Sequence, residues 1–417
     1  MHRLNEKRKV FIQKWAKKVL LSVWVGFFAG TAATIFLVLL DIATQTRESH
    51  PKLIWGLPLA GFCVGYIYYL FGKDIAGGNN LILEEIHNPR HTIPIRTAPF
   101  VLFGTVITHL FGGSAGREGT AVQMGASLAD QVSKLFKVEM RERKSLLVAG
   151  TGAGFGAAIG APWAGVIFGM EVIQIGRPQF FAWGECLIAS FVAYYTTLLF
   201  KAPHTHYPLL TPLKLDVKTL IIVSISGIIF GVTARFFSVL THQIEKMGRR
   251  FISYPPLKPF FGGIVLVILF SWEGSYRYVG LGISTIQDAL SFPTPLKDPI
   301  LKIIFTAITI GSGFKGGEFI PLVFIGTTLG NVLSQWFSAS PGLLATLGFA
   351  SVFAAASNTP IACIIMACEI FGFSVLPYVT ISCFLAYYVS GHKSIYVSQP
   401  ISDRKLGNLK KLFSRHR

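Results

Sequence analysis

The segment Val19–Leu40 carries no charged residue, and this limits the possible folds of the chain more than any other feature. A transmembrane helix needs about 20 mainly apolar residues to cross the hydrocarbon core of a bilayer. A cleaved signal peptide has a shorter apolar region that ends at a small-residue cleavage site. The segment therefore predicts a membrane span. The basic residues ahead of it predict an amphipathic helix at the membrane face, Asn5–Lys18.

The composition extends this prediction to the whole chain. Hydrophobic residues make up 52% of the 417 residues and charged residues only 14%, whereas soluble domains carry about 25% charged residues. The net charge of +18 is concentrated at the two ends, and basic flanks of apolar segments tend to stay in the cytoplasm. We therefore expect a multi-pass protein of the inner cell membrane, embedded in the lipid bilayer, with both termini cytoplasmic. Because the basic residues form no separate basic domain, nucleic acid is not an expected partner.

The chain contains an internal repeat with an offset of about 200 residues. Pro162 is followed nine residues later by Glu171, and Pro360 is followed nine residues later by Glu369. Upstream, the glycine-rich stretch 116–125 matches 316–326 in the same order. Many apolar stretches are too short to span a bilayer, which is typical of broken helices that line a cavity. The predicted organisation is a cytoplasmic N-terminal helix (1–18), a first repeat (19–203), a linker (204–217), a second repeat (218–398) and a basic cytoplasmic tail (399–417).

One glycine-rich stretch, 112–126, combines features of an anion site. Arg117 and Glu118 stand next to each other among four glycines, directly before a helical pattern of small residues. Glycines ahead of a helix leave backbone N–H groups free, and the helix start adds partial positive charge. The stretch predicts an anion-binding helix start with an acid at its opening. The alternative is a loop with a surface salt bridge.

Four stretches follow each other along nearly the whole chain: Gly77–Ile82, Gly116–Thr120, Gly313–Pro321 and Gly391–Val397. Each is weak alone, but the ordered set resembles the CLC family of chloride channels and proton-coupled anion antiporters. The resemblance implies an all-α polytopic fold of two inverted repeats with tilted and broken helices. It also implies a homodimer with one pore in each subunit.

Three positions depart from the chloride-transporting members in one direction. Asn79 stands where they usually offer a serine to the anion, Thr120 stands in place of a proline, and Glu318 replaces an apolar residue. All three departures resemble the fluoride-exporting branch of the family. An asparagine amide brings two N–H donors where a serine hydroxyl brings one. Without the resemblance, Asn79 also fits a helix cap.

The four stretches contain the candidate site residues, and the resemblance implies the role of the main one. Glu118 corresponds to the glutamate that gates the anion and couples it to proton movement. The expected anion-binding residues are helix-start and hydroxyl groups: Asn79, Gly119, Thr120, Phe319, Ile320 and Tyr396. Arg117 either draws anions towards the pore or pairs with a carboxylate, and Phe314 is expected to line the pore.

The route of the proton is open at this point. Chloride/proton members carry two consecutive glutamates after the repeated Ala-Pro block, but here Glu171 is followed by Val172. Two alternatives remain. Either the proton moves with Glu118 itself and is relayed by Glu318, or the protein is an uncoupled channel. Glu318 at a helix start also fits a plain capping acid.

These observations predict a transporter that exports fluoride in exchange for protons. The alternative is a chloride-selective channel or a chloride/proton antiporter of the same fold. A membrane enzyme is not expected, because the chain has no His-Glu-x-x-His, Gly-x-Ser-x-Gly or paired-aspartate motif. We expect no catalytic residue, no metal site and no cofactor, since the five cysteines lie singly without metal-ligand spacing.

Overall fold

The computed structural model describes residues 2–209, 216–403 and 405, with side chains from Ile12 onward. The middle of the predicted linker and most of the predicted basic tail lie outside the described residues. Within the described part the chain forms α-helices, short 3-10 turns and isolated bridges, with no β-strand. The α-helices are α1 (His2–Ser49), α2 (Leu57–Phe71), α3 (Asn79–His87), α4 (Thr97–Leu110), α5 (Glu118–Leu135), α6 (Met140–Ile159), α7 (Pro162–Glu171), α8 (Trp183–Leu199), α9 (Val217–Phe251), α10 (Leu257–Glu273), α11 (Ile283–Ala289), α12 (Lys297–Gly311), α13 (Phe319–Phe337), α14 (Pro341–Ser357), α15 (Pro360–Phe371) and α16 (Leu376–Val389).

The helices fall into two sets with a similar pattern of lengths, α1–α8 and α9–α16. Each set opens with its longest helix, of 48 and 35 residues. Each has a very short third helix, of 9 and 7 residues, and a short seventh helix, of 10 and 12 residues. At 1.5 Å per residue these short helices end well inside a bilayer of about 30 Å. The predicted all-α fold of repeated halves with broken helices is confirmed.

Contacts between α7 and α15 show that the halves are inverted. The carboxylate of Glu171, at the end of α7, accepts two hydrogen bonds from the first N–H groups of α15, at 3.0 and 2.7 Å. The carboxylate of Glu369, at the end of α15, accepts two from the first N–H groups of α7, at 3.0 and 2.8 Å. Each helix is therefore capped by the other and runs antiparallel to it. The repeated Pro-to-Glu spacing in the sequence produces this exchange, because it places an acid one short helix after each helix start.

Small residues let the helices within each half approach closely. Gly326 of α13 faces Gly348 of α14, and a Cβ on Gly326 would lie only 1.9 Å from the Gly348 carbonyl oxygen. Gly125 of α5 faces Gly150 of α6 in the same way, at 2.3 Å. Such close backbone packing is typical of helices inside membranes, where small residues supply the contact. It explains why the runs of glycine and alanine recur in both halves.

The N-terminal region differs from the sequence prediction. A separate interfacial helix before the span was expected, but α1 runs through residue 18 without interruption. Asn5–Lys18 contains no glycine or proline to end a helix. Lys17 and Lys18 contact the folded body, pairing with Glu142 at 3.2 Å and Glu185 at 3.1 Å.

Four described helical segments are long and apolar enough to cross a membrane: Ile12–Ser49, Pro51–Phe71, Val217–Phe251 and Phe319–Phe337.

Beyond α16, Lys405 folds back on the protein and is 1% exposed. Its Nζ donates to the carbonyl of Tyr387 at 2.7 Å and contacts Ser390 Oγ at 3.3 Å. Burial lowers the pKa of the Lys405 ammonium from 10.5 to about 7.

Candidate anion and proton site

The two glycine-rich loops that precede α5 and α13 meet inside the protein. The Gly116 N–H donates to the Gly317 carbonyl at 2.6 Å, and the Gly317 N–H donates to the Gly116 carbonyl at 2.7 Å. A Cβ on Gly317 would lie 2.8 Å from the amide nitrogen of Gly119, so only glycine fits there. The pair holds the starts of α5 and α13 next to each other. Helix starts carry unpaired N–H groups and partial positive charge, which favour an anion.

Asn79 brings a third helix start to the same place. It is the first residue of α3, and its Nδ2 would lie 3.2 Å from a Cβ on Gly119. Its Oδ1 is buried and has no hydrogen-bond partner among the described residues. Because a cap needs that oxygen to accept an N–H bond, the side chain does not cap α3. The Asn79 amide therefore lies beside the start of α5 and does not cap its own helix.

Glu118 is buried at the start of α5, with 1% of its surface exposed. Its carboxylate accepts from the Arg117 backbone N–H at 3.2 Å and from the Arg117 Nε at 3.3 Å. The Arg117 Nη2 also lies 3.4 Å from Thr205 Oγ1, in the segment that follows the first repeat. Arg117 thus pairs with a buried carboxylate in this structure, which is one of the two roles that the sequence left open for it.

The remaining predicted helix-start residues have different surroundings. Thr120 is fully buried, its hydroxyl lies 2.7 Å from that of Thr105, and its N–H donates to the Arg117 carbonyl at 3.1 Å. The hydroxyl and the backbone N–H of Thr120 are therefore both hydrogen-bonded inside the protein. The Ile320 amide nitrogen lies 3.1 Å from the position of a Cβ on Gly116, so the start of α13 directs N–H groups towards the paired loops.

Phe319 lies in a cluster of aromatic rings that sequence reasoning missed. It packs edge-on against Phe155 and Phe353, with ring centroids 5.5 and 4.6 Å apart. Phe155 and Phe353 are equivalent residues of the two halves, because each precedes its repeated proline, Pro162 or Pro360, by seven positions. That shared spacing is the signal that could have identified them.

A cavity of about 170 Å³ lies beside these helix starts. Four of the predicted site residues line it: Asn79, Phe314, Glu318 and Tyr396. The other predicted residues do not line this cavity: Arg117, Glu118, Gly119, Thr120, Phe319 and Ile320. The Glu318 carboxylate has no hydrogen bond to another described residue, and the start of α13 has no side-chain cap. Glu318 is therefore a cavity acid rather than a capping acid. Asn79 and Tyr396 also line a small void of about 10 Å³ on their other side.

The cavity adjoins a larger vestibule of about 390 Å³. Five residues line both spaces: Tyr68, Glu245, Ile310, Gly311 and Lys315. The rest of the vestibule is lined partly by the basic residues Lys73, Arg249 and Lys258. A vestibule lined by basic residues raises the local concentration of anions.

Lys315 lies where the cavity and the vestibule meet. Its Nζ lies 4.1 Å from the centroid of the Tyr68 ring, which is a cation–π contact. A Cβ on Gly104 would lie 2.9 Å from the Lys315 Cγ, so the glycine leaves room for the lysine stem. Lys315 stands in the third motif, but nothing in the sequence indicated which surface its side chain would face.

Comparisons with known proteins agree with this architecture. The sequence model of the voltage gated chloride channel family matches residues 60–391. A chloride/fluoride channel protein of Pseudomonas syringae pv. tomato is 43% identical over 401 residues, covering 95% of this chain and 88% of that protein. An H(+)/Cl(−) exchange transporter ClcA of Vibrio cholerae is 28% identical over 385 residues, covering 84% and 81%.

Two solved structures show the same arrangement of helices. The crystal structure of a CLC-type fluoride/proton antiporter superimposes with a TM-score of 0.90 at 35% identity, covering 93% of this chain and 98% of that one. A slow cyanobacterial Cl−/H+ antiporter superimposes with a TM-score of 0.80 at 21% identity, covering 96% and 99%. The second likeness bears on the fold alone.

Proposed function

The chain belongs to the voltage gated chloride channel family, and within that family we propose that it exports fluoride from the cytoplasm in exchange for protons. One observation carries the choice of fluoride. Asn79 and Glu318, two of the three departures from the chloride-transporting pattern, line the same cavity with Tyr396. A strongly hydrated ion that leaves water needs several donors to replace its hydration shell. An amide with two N–H groups, a phenol hydroxyl and three converging helix starts are such a set.

Glu118 is the proposed gate and proton-coupling residue. As a carboxylate it competes with the anion for the N–H groups at the start of α5. When it takes up a proton it loses its charge, and the anion no longer meets a negative group there. Its burial at the start of α5 supports this role, because a change of charge there acts directly on the helix-start N–H groups. Fluoride moves outward and the proton is carried inward. When Glu118 releases the proton, it becomes a carboxylate again and the cycle can repeat.

The other site residues have supporting roles in this proposal. Gly119, Phe319 and Ile320 supply backbone N–H groups, and Thr120 fixes the start of α5 through Thr105. Tyr396 donates its hydroxyl to the anion. Phe314 lines the pore, and Glu318 relays the proton on the inner side of Glu118.

The proposal includes a location and an assembly. The protein spans the inner cell membrane many times, with both termini in the cytoplasm, and works as a homodimer with one pore in each subunit. The basic vestibule supports this orientation, because Lys73, Arg249 and Lys258 would face the cytoplasm as basic loops do. The protein acts as a transporter and not as an enzyme.

Flux from proteoliposomes tests the function. Purified protein is reconstituted with equal internal fluoride and chloride, and each ion is followed with its own electrode while a pH electrode records proton uptake. We expect fluoride efflux to exceed chloride efflux and to drive proton uptake, with protein-free liposomes as the control. Chloride leaving as fast as fluoride would support the chloride-selective alternative instead. Fluoride efflux without proton uptake would support an uncoupled channel.

A further inference from the structure

The inner part of the proton route lacks an obvious acid. Val172 follows Glu171 and is buried with 3% exposure. Glu171 itself is occupied, because both its carboxylate oxygens accept N–H groups from the start of α15. It also lines a separate cavity, with Lys405 and Tyr387, rather than the one beside Asn79. Neither residue therefore connects Glu318 to the surrounding solution.

Glu245 lies where such an acid is needed. It stands near the end of α9 and lines both the cavity that holds Glu318 and the basic vestibule. Its side chain is 42% exposed and pairs with Arg249, which is 70% exposed, so solvent reaches the pair. Glu318, in contrast, faces only the inner cavity. Glu245 therefore shares one cavity with Glu318 and also lines the vestibule, which Glu318 does not.

The space between them suits proton transfer through water. A water molecule needs about 10–15 Å³ of cavity and two or more polar partners. The cavity measures about 170 Å³, and polar side chains line it along its length: Asn79, Asn80, Gln123, Thr241, His242 and Lys315. The Thr241 hydroxyl is buried and has no hydrogen-bond partner among the described residues. The cavity therefore has both the volume and the unused hydrogen-bonding groups for a chain of water molecules.

We propose that Glu245 is the inner proton acceptor, which passes protons from Glu318 to the solution on the side where α9 ends. The proposal rests on the proposed function. A proton leaves the carboxylic acid of Glu318, crosses the cavity water and binds the carboxylate of Glu245. The Glu245 carboxylic acid then releases it to the vestibule. Only O–H bonds are formed and broken, and both residues return to their ionised form.

Charged and titratable groups from four parts of the fold line the same two spaces as Glu245. Arg249 and His242 lie on α9 itself, and Lys315 lies on the loop before α13. Lys73 follows the end of α2, and Lys258 lies in the first turn of α10. The positive charge of Arg249 and the three lysines attracts fluoride to the place where the two spaces meet. Glu245 and Lys315 therefore place the proton path and the anion path side by side at the inner entrance.

The test compares two variants that break the same ion pair. Glu245→Gln and Arg249→Gln both remove the Glu245–Arg249 ion pair, but only the first removes the proton acceptor. In the flux assay we expect the ratio of protons to fluoride to fall about tenfold or more in Glu245→Gln, as for loss of a proton-transfer group. The ratio should stay at the wild-type value in Arg249→Gln and be largely restored in Glu245→Asp. Size-exclusion profiles identify any variant that fails to fold.

Two results would overturn the inference. The first is a wild-type ratio in Glu245→Gln; loss of coupling in His242→Gln would then assign the relay to the histidine. The second is an equal loss in Arg249→Gln, which would assign the effect to the ion pair. If the wild-type protein moves fluoride without protons, the proposed function fails before any variant is measured. The failures of the two proposals are therefore distinguishable.

Discussion

Replacing Glu171 by alanine should destabilise the protein strongly, and the structure supplies the magnitude. The carboxylate satisfies two N–H groups at the buried start of α15, at 2.7 and 3.0 Å. A hydrogen bond to a charged group contributes about 1.5–3 kcal/mol, and a buried donor left without a partner costs a similar amount. Two lost bonds predict that Glu171→Ala lowers the free energy of unfolding by about 3–6 kcal/mol. Glu171→Gln should cost less, because its amide oxygen still accepts an N–H group.

The repeat provides a matched control in Glu369. It makes the same two bonds to the start of α7, but it is only partly buried, and Trp163 beside it is 45% exposed. Water can replace part of the lost bonding there, so we expect Glu369→Ala to cost about half as much as Glu171→Ala or less. Denaturant titration in mixed micelles, followed by tryptophan fluorescence, measures both. A cost below about 1 kcal/mol for Glu171→Ala, or a larger cost for Glu369→Ala, would refute the reasoning.

Four further outcomes are expected. Glu118→Gln should abolish proton uptake during fluoride efflux, because an amide cannot carry the proton; unchanged uptake in the pH-electrode recording would contradict the role of Glu118. Asn79→Ser should lower the ratio of fluoride to chloride flux, because one hydroxyl donor replaces two amide donors; an unchanged ratio would show that the side chain does not select the ion. Gly326→Ala should lower the yield of folded protein, because a Cβ there would lie 1.9 Å from a backbone oxygen, whereas Gly184→Ala, with nothing within 4 Å, should not. The pKa of Lys405 is lowered to about 7 in the folded state, so above pH 7 the unfolded chain binds more protons than the folded chain does. The free energy of unfolding should therefore rise by up to about 1.4 kcal/mol per pH unit. Comparing denaturant titrations of the wild type and Lys405→Met at pH 7 and 9 should show this slope in the wild type only; equal slopes would contradict the assignment.

Much of the fold could be predicted because its signals are local or repeated. The Pro-to-Glu spacing at 162–171 and 360–369 marks two equivalent short helices, and their reciprocal caps show why the acid belongs at that distance. The glycines around Arg117 and Glu118 predicted a helix start, and α5 begins at Glu118. The one clear difference, the uninterrupted α1, arose because a change from polar to apolar residues does not by itself end a helix.

The inner part of the site could not be predicted, because it depends on distant segments that come together. Glu245 lies on α9 and Lys315 on the loop after α12, and only the packing of α9 against α12 brings them to the same cavity. Thr120 was expected to bind the anion directly, but whether its hydroxyl faces the pore or Thr105 depends on the position of α4. Sequence motifs identified which residues stand at helix starts. They did not indicate which cavity each side chain enters.

The pairing of Gly116 with Gly317 resembles the contact at the centre of a symmetric dimer. Equivalent residues of the two halves exchange equivalent hydrogen bonds, as the two subunits of an isologous dimer do. Glu171 and Glu369 make a second exchange of the same kind. Each half separated from the other would expose unsatisfied N–H groups at the starts of α7 or α15. Each would also lack the helix starts that the other half brings to the proposed anion site. The two halves are therefore covalently joined partners of one obligate assembly, and neither is a complete folding unit or a complete binding site.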